Sequence, residues 1–243
     1  MRIYAFTDVH GDARALREVK KAVKKTKPDL VVCMGDLSIF EHELKALLSR
    51  VNLLKVPVLM LHGNHETEAR MRKACAPFSR ITFLHKEFLQ FQDYFFAAFG
   101  GGGFEERYPE LEELLKRKAW KLLDWSRTVF LSHAPPYGTT LDDVSEAEEE
   151  PWHVGSKSLQ KLVKTKKPLL VLAGHIHECF ETSDKVGPTL CENPGPVGKL
   201  YDLDALSSAR QNKARPQKRP QVRQLRQQRG RGAIFSRRQK GKH

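Results

Sequence analysis

Cysteine is scarce in this chain, and what there is lies scattered. Cys33, Cys75, Cys179 and Cys191 form no C-x-x-C pair and no dense group. A disulfide framework and a thiolate zinc site are therefore both unexpected, and a reduced, cytoplasmic setting is the simplest reading. No apolar run approaches the roughly 20 residues needed to cross a bilayer, so no membrane partner is expected. The first apolar run, "RIYAFT" at 2–7, lacks the charged n-region, long apolar h-region and small-residue cleavage site of a signal peptide. Acidic residues are missing altogether from 205–243.

That last absence explains the charge. The net charge is +13, yet 13 of the 42 Lys and Arg lie in 205–243, so the other 29 balance the 29 acidic residues. Positions 1–204 read as a neutral domain and 205–243 as a basic, Arg/Gln-rich disordered tail, since such a composition buries too little surface to offset the ordering of the chain. The tail suits the phosphate backbone of nucleic acid; the alternative is a solvated extension without a partner.

What is present is an alternation. Apolar runs that predict strands are "RIYAFT", "LVVCMG", "VPVLML", "RITFL", "YFFAAFG", "TVFLSH", "LLVLAG" and "KLYDLD". Helical patterns at 12–25, 41–51, 66–74, 105–123 and 156–165 lie between them. Asp12 and Ser156 stand where N-caps belong, because a short oxygen-bearing side chain accepts the free N–H groups of a first turn. The β-α-β opening predicts a sheet covered by helices, and the closer spacing of later strands predicts a second, partly antiparallel sheet. The expected fold is α/β, a sandwich of two sheets flanked by helices.

Ligands of α/β sheets gather beyond the carboxyl ends of strands. Five expected strands end in residues suited to metal binding: Asp8 and His10; Gly35 and Asp36; Gly63, Asn64, His65 and Glu66; His133; Gly174, His175 and His177. In order these read D-x-H, G-D, G-N-H-E, S-H and G-H-x-H. Each element alone is weak, but the ordered set, from Asp8 to His177, resembles the calcineurin-like metallophosphoesterase superfamily, and its compact phosphodiesterase-like members in particular.

The resemblance implies two divalent transition metals, manganese foremost, with iron, zinc or nickel as alternatives. One would be held by Asp8, His10, Asp36 and His177, the other by Asp36, Asn64, His133 and His175, with Asp36 bridging. The mixture of nitrogen and oxygen donors without thiolate agrees with that choice of metals. The implied activity is hydrolysis of phosphoester bonds, diesters before monoesters, by a hydroxide that the metal pair activates, with His65 assisting the leaving group. The alternatives are a nuclease fed by the basic tail and a non-catalytic scaffold. The scaffold requires an eroded ligand set, whereas the set here is complete.

The remaining features divide. Gly35, Gly63 and Gly174 each precede an expected ligand, where the chain leaves a strand. His42, His62 and His85 read as structural or exposed. His153 in "HVGSKSL" either lines a substrate cleft or merely precedes a helix capped by Ser156. "FGGGGF" at 99–104 either brings backbone to a phosphate or is a flexible connection, and it lacks the Lys-Ser/Thr of a P-loop. The acidic segment from Asp142 to Glu150 is expected to point outward, since carboxylates beside a phosphate site would repel substrate.

Overall fold

The computed structural model describes residues 1–146 and 150–214. In chain order its main elements are β1 (Arg2–Phe6), α1 (Ala13–Thr26), β2 (Leu30–Cys33), α2 (Leu44–Asn52), β3 (Val58–Met60), α3 (Glu68–Cys75), β4 (Ile81–Phe83), β5 (Glu87–Phe91) and β6 (Tyr94–Phe99). They continue with α4 (Pro109–Leu114), α5 (Lys118–Lys121), β7 (Thr128–Ser132), α6 (Lys157–Lys166), β8 (Leu170–Leu172), β9 (Ser183–Val186), β10 (Thr189–Glu192), β11 (Lys199–Asp202) and α7 (Leu203–Ala214).

The two-residue period of a strand sorts side chains onto opposite faces, and here both faces are covered. In β1, Tyr4 and Phe6 join a cluster with the apolar stripes of α1, α2 and α3, while Ile3 and Ala5 face the other way. There they meet Tyr94, Phe96, Val129, Leu131, Leu170 and Leu172 of a second sheet. That sheet's outer face, with Phe99, Phe130 and Val171, packs on α4, α5 and α6. The result is four layers, helices on sheet on sheet on helices. Each fully buried Leu, Val, Ile or Phe in these seams stabilises the fold by roughly 1.5–3 kcal/mol relative to exposure.

The first sheet has the order β11-β1-β2-β3-β4, parallel except for β11. The second runs β5-β6-β7-β8-β10-β9, with a parallel centre and antiparallel pairs at both edges. The expected sandwich is thus observed, and both expected N-caps act: Asp12 accepts from Arg14 N and Ser156 from Leu159 N. Among the described residues no helix is long and apolar enough to cross a membrane.

Three differences from the sequence reading have physical reasons. The expected helix 105–123 is broken into α4 and α5. At 100° per residue, Trp120 would lie about 180° around a continuous helix from Leu111. The break lets both reach the core, Trp120 edge-on to Phe88 at 5.6 Å. Strands β5, β9 and β10 lack a strong apolar signal because they sit at or near edges, β9 and β10 joined through the tight turn at Gly187. The ordered chain also runs past the expected boundary at 204, so disorder from Ala205 is corrected as far as Ala214. Asp204 accepts from Tyr94 Oη at 2.7 Å, and the Arg210 guanidinium donates to the carbonyls of Lys167 and Pro168 at 2.8 and 2.9 Å. The rest of the expected tail, 215–243, lies outside the described residues.

Candidate metal centre

The central strands of both sheets finish at one end of the sandwich, and the loops that follow bring every expected donor together. Asp8 and His10 follow β1, Asp36 follows β2, Asn64 and His65 follow β3, His133 follows β7, and His175 and His177 follow β8. Asp8, His10, Asp36 and His175 have positive φ of 51°, 48°, 48° and 71°. This left-handed backbone costs a non-glycine residue about 1–2 kcal/mol, and it is tolerated here because the surrounding bonds over-determine it. Asp8 N donates to Gly35 O, His10 N to Asp36 O and His175 N to Asp8 Oδ2.

The glycines before the donors answer mainly to space. Gly35 does have a positive φ of 103°, but Gly63 and Gly174 do not. A Cβ on Gly63 would collide with the Asp36 carboxylate and sit 2.6 Å from His133 Cε1, and one on Gly174 would collide with Thr7 and Asp8. The side chains must pass across bare backbone to meet.

Their donor atoms form two sets that share Asp36. In the first, His10 Nε2 lies 3.1 Å from His177 Nε2, 3.9 Å from Asp8 Oδ1 and 3.7 Å from Asp36 Oδ2. In the second, Asn64 Oδ1 lies 2.9 Å from His133 Nε2 and 3.0 Å from His175 Nδ1, with Asp36 Oδ2 at 3.3 Å from His133 Nε2. Donors bound at about 2.0–2.2 Å to one ion stand about 3–3.5 Å apart, so the second set and the His10–His177 pair match that spacing, while Asp8 and Asp36 stand slightly farther from His10. Direct contact satisfies the groups poorly: two imidazole nitrogens face each other, and Asp8 Oδ1 and His175 Nε2 are buried without a hydrogen-bond partner. Asp8, His10 and His177, and likewise Asp8, Asp36 and His133, group closely enough to hold a cation. The residues therefore fit a pair of metal ions.

Electrostatics agree. Burial works to raise the carboxyl of Asp8, but His177, His133 and the Thr7 hydroxyl outweigh it and hold the group below the usual carboxylate range. Asp36 behaves likewise beside His133 and His65. His133 is fully buried, which alone would lower it, yet its Nδ1 faces Met34 O at 2.9 Å and its Nε2 faces Asp36, and without metal it is raised to about 9. The Met34 carbonyl stands where a metal-ligating imidazole takes its outer hydrogen-bond partner. Burial pushes His175 down to about 4, leaving it neutral.

Glu66, the last residue of G-N-H-E, has no role predicted by its sequence context, yet it is the hub of the floor. Its buried carboxylate accepts from Asp36 N, Ser38 N, Ser38 Oγ and Gly63 N at 2.8–3.1 Å, binding the end of β2 to the end of β3. Burial and the neighbouring Asp36 raise its pKa. The signal was its adjacency to two site residues. With Glu66 so engaged, Thr67 caps α3 in its place.

His65 stands at the cleft beside these donors. Its backbone N donates to Asp36 Oδ1 at 2.9 Å, its Nε2 is 4.0 Å from Asp36 Oδ2, and its ring lies between His10 and Phe40. His62 and His85 are structural as expected: they pack edge-on at 4.5 Å, and Gly100 N donates to His85 Nδ1. His42 is exposed. The FGGGGF loop is packed rather than free, with Gly101 N donating to His62 O and Phe104 reaching the cleft beside His175 at 4.6 Å.

The acidic segment departs from expectation. Asp142 is fully buried and faces inward, accepting from Gly138 N, Thr139 N and Gly155 N and bonding His153 Nδ1 at 3.0 Å. A turn rich in free N–H groups captured it. Glu146 and Glu150 are exposed, while Glu148 and Glu149 lie outside the described residues. Ser156 caps α6, and the neighbours of His153, Trp152 and Val154, line the cleft. That cleft has a volume of about 550 Å³ and also takes in His10, Asp36, His65 and His177.

A family model for the calcineurin-like phosphoesterases matches residues 1–179, and the chain belongs to that family. Phosphoester substrates and metal-assisted hydrolysis are thereby the chemistry of its class. No curated protein sequence matches the chain. Among solved structures it is similar to TT1561 of Thermus thermophilus, with 23% identity, a TM-score of 0.67, and coverage of 84% of this chain and 95% of that one. It is also similar to the phosphopantetheinyl hydrolase of Mycobacterium tuberculosis (15%, TM-score 0.54, 79% and 88%) and to a dimetal phosphatase from Danio rerio (10%, TM-score 0.51, 79% and 87%). At these identities the likeness concerns the fold.

Proposed function

We propose that the chain hydrolyses phosphodiesters at a dinuclear centre held by Asp8, His10, Asp36, His177, Asn64, His133 and His175. The observation that carries this reading is the pair of donor sets sharing Asp36 Oδ2 at 3.3 Å from His133 and 3.7 Å from His10. A carboxylate has two oxygens for such a position, and an amide has one. When bound, two divalent ions there would supply an activated water and counter the charge on the phosphoryl oxygens. Their nitrogen and oxygen donors suit manganese, iron or zinc.

The chain's own residues do the rest. Asp36 stays ionised and holds His65 through its backbone N. His65 donates a proton to the leaving oxygen as its bond to phosphorus breaks and the bond to the water oxygen forms. Diester preference is supported by the cleft wall, which among the described residues includes no Lys or Arg and does include Glu178. A dianionic monoester would want a second cationic partner beyond the metals, whereas a diester carries a single charge.

The test is turnover of matched monoesters and diesters of the same alcohol with Mn²⁺, Fe²⁺, Zn²⁺ or Ni²⁺, beside metal analysis of the purified chain. Faster diester cleavage with near two metals per chain is expected. Faster monoester cleavage under every metal overturns the preference.

A further inference from the structure

We infer that the cleft selects phosphodiesters bearing a nucleobase, held against Phe104 and Trp152. This deepens the proposed function and rests on it for the reacting phosphorus, but on different residues for the organic group. Single exposed apolar side chains are ordinary, whereas several grouped at one cleft mark a binding surface. Phe104 is 72% exposed, Trp152 67% and Phe40 76%, and all three stand around the metal-binding loops. Phe104 and Trp152 line the same 550 Å³ cavity as His175 and His177, with Val144 and Ile176 completing an apolar wall.

The wall's chemistry narrows the occupant. Phe104 is tilted beside His175 at 4.6 Å, and the rings of Phe104 and Trp152 are largely open. Open aromatic faces suit a planar group that stacks on them, as nucleobases do. A long acyl chain needs enclosure, whereas the other large apolar residues exposed among the described residues, Ile39, Leu53, Leu122 and Val197, do not line this cavity. Glu178, the one carboxylate of the wall besides Asp36, disfavours a second phosphate and is placed to accept from an exocyclic amine, the pairing by which carboxylates read amino-bearing bases. The ligand is therefore a nucleoside carrying one phosphodiester, either a free nucleotide ester or the terminal nucleotide of a single strand.

Tryptophan emission tests the clamp without turnover. Trp120 and Trp125 are buried at 3% and 8% exposure, so a titrant in the cleft quenches Trp152 alone. The full chain loaded with Zn²⁺, which is redox-silent, is titrated with adenosine 5′-monophosphate and with glycerol 3-phosphate. Expected are saturable quenching by the nucleotide and binding of glycerol phosphate about tenfold weaker, equal to about 1.4 kcal/mol. By calorimetry W152A and F104A should each weaken nucleotide binding about tenfold, and W152F should restore it. The nucleoside-to-glycerol ratio of kcat/KM on diesters should fall in the alanine variants by the same factor. Equal binding of the two titrants, quenching that survives in W152F, or alanine variants with unchanged nucleotide affinity each overturn the clamp. A short oligodeoxyadenylate, which keeps the exocyclic amine, serves as the second arm: tighter quenching than by mononucleotide supports the clamp with a strand end as ligand, and weaker quenching supports it with free nucleotide. Nucleotide quenching in a chain that cleaves no diester would overturn the proposed function and leave the clamp standing; diester cleavage blind to the base would do the reverse.

Discussion

The floor and the rim of the cleft are built on opposite principles. On the floor, Asp8, Asp36, His133 and Glu66 are buried, held at left-handed or crowded backbone, and tied by bonds across β1, β2, β3 and β7. At the rim, Phe40, Phe104 and Trp152 present open rings on loops, and Trp152 is joined to its surroundings mainly through backbone bonds with Asp143 and Val144. A buried polar group without its partners costs several kcal/mol, so a floor of carboxylates and imidazoles is stable only when fully cross-tied or occupied. An exposed ring has no such requirement. Rigidity thus sits where charge must be placed to within tenths of an ångström, and latitude where substrates differ.

The contrast can be broken most severely at Asp36. Asp36→Asn should lower kcat by at least about a thousandfold and release metal, since the bridging oxygen and the charge are lost together; steady-state rates with metal analysis check it, and retained metal with unchanged rate would refute the bridging assignment. His65→Ala should lower kcat about 10²–10⁴-fold while leaving metal content intact, with the larger loss on poorer leaving groups. A loss independent of the leaving group's pKa would remove the proton-donor role.

Gly174→Ala tests crowding on the floor. Its Cβ would collide with Thr7 and Asp8, and overpacking of this kind costs about 1–3 kcal/mol, visible in a urea midpoint. A neutral effect would show that the floor has slack.

The gentlest test lies beneath the floor, at the His62–His85 pair. Burial depresses His62 to about 3 and His85 to about 4, from 6.5. The folded state thus favours the neutral rings, and the unfolded chain binds more protons between those values and 6.5. Their contribution is fully present above pH 6.5 and is lost as pH falls toward 4. With chelator present the urea midpoint should decline through that window, His175 and His10, which burial also depresses, adding to the pair's share, before Asp8 and Asp36, held below 3.8, begin to act. His62→Phe should flatten the slope, and an unchanged slope would assign the pH dependence elsewhere.

Eight of the eleven described strands, the α/β class and the two caps were legible in the sequence, and so were the residues that gather at the strand ends, because each rests on local chemistry: apolar alternation, a short oxygen-bearing side chain before a helix, a segment rich in carboxylate and imidazole after a strand. What needed three dimensions was whatever depends on distant residues. The break between α4 and α5 follows from where the core lies relative to Trp120. Edge strand β9 and its neighbour β10 are stabilised by pairing rather than by their own composition. Glu66, given no particular role by the sequence, and Asp142, expected to face solvent, are turned inward by converging N–H groups. Sequence likewise left open why Gly63 and Gly174 are glycines, since the atoms that exclude a Cβ come from β1, β2 and β7, brought to one end of the sandwich by the packing of both sheets.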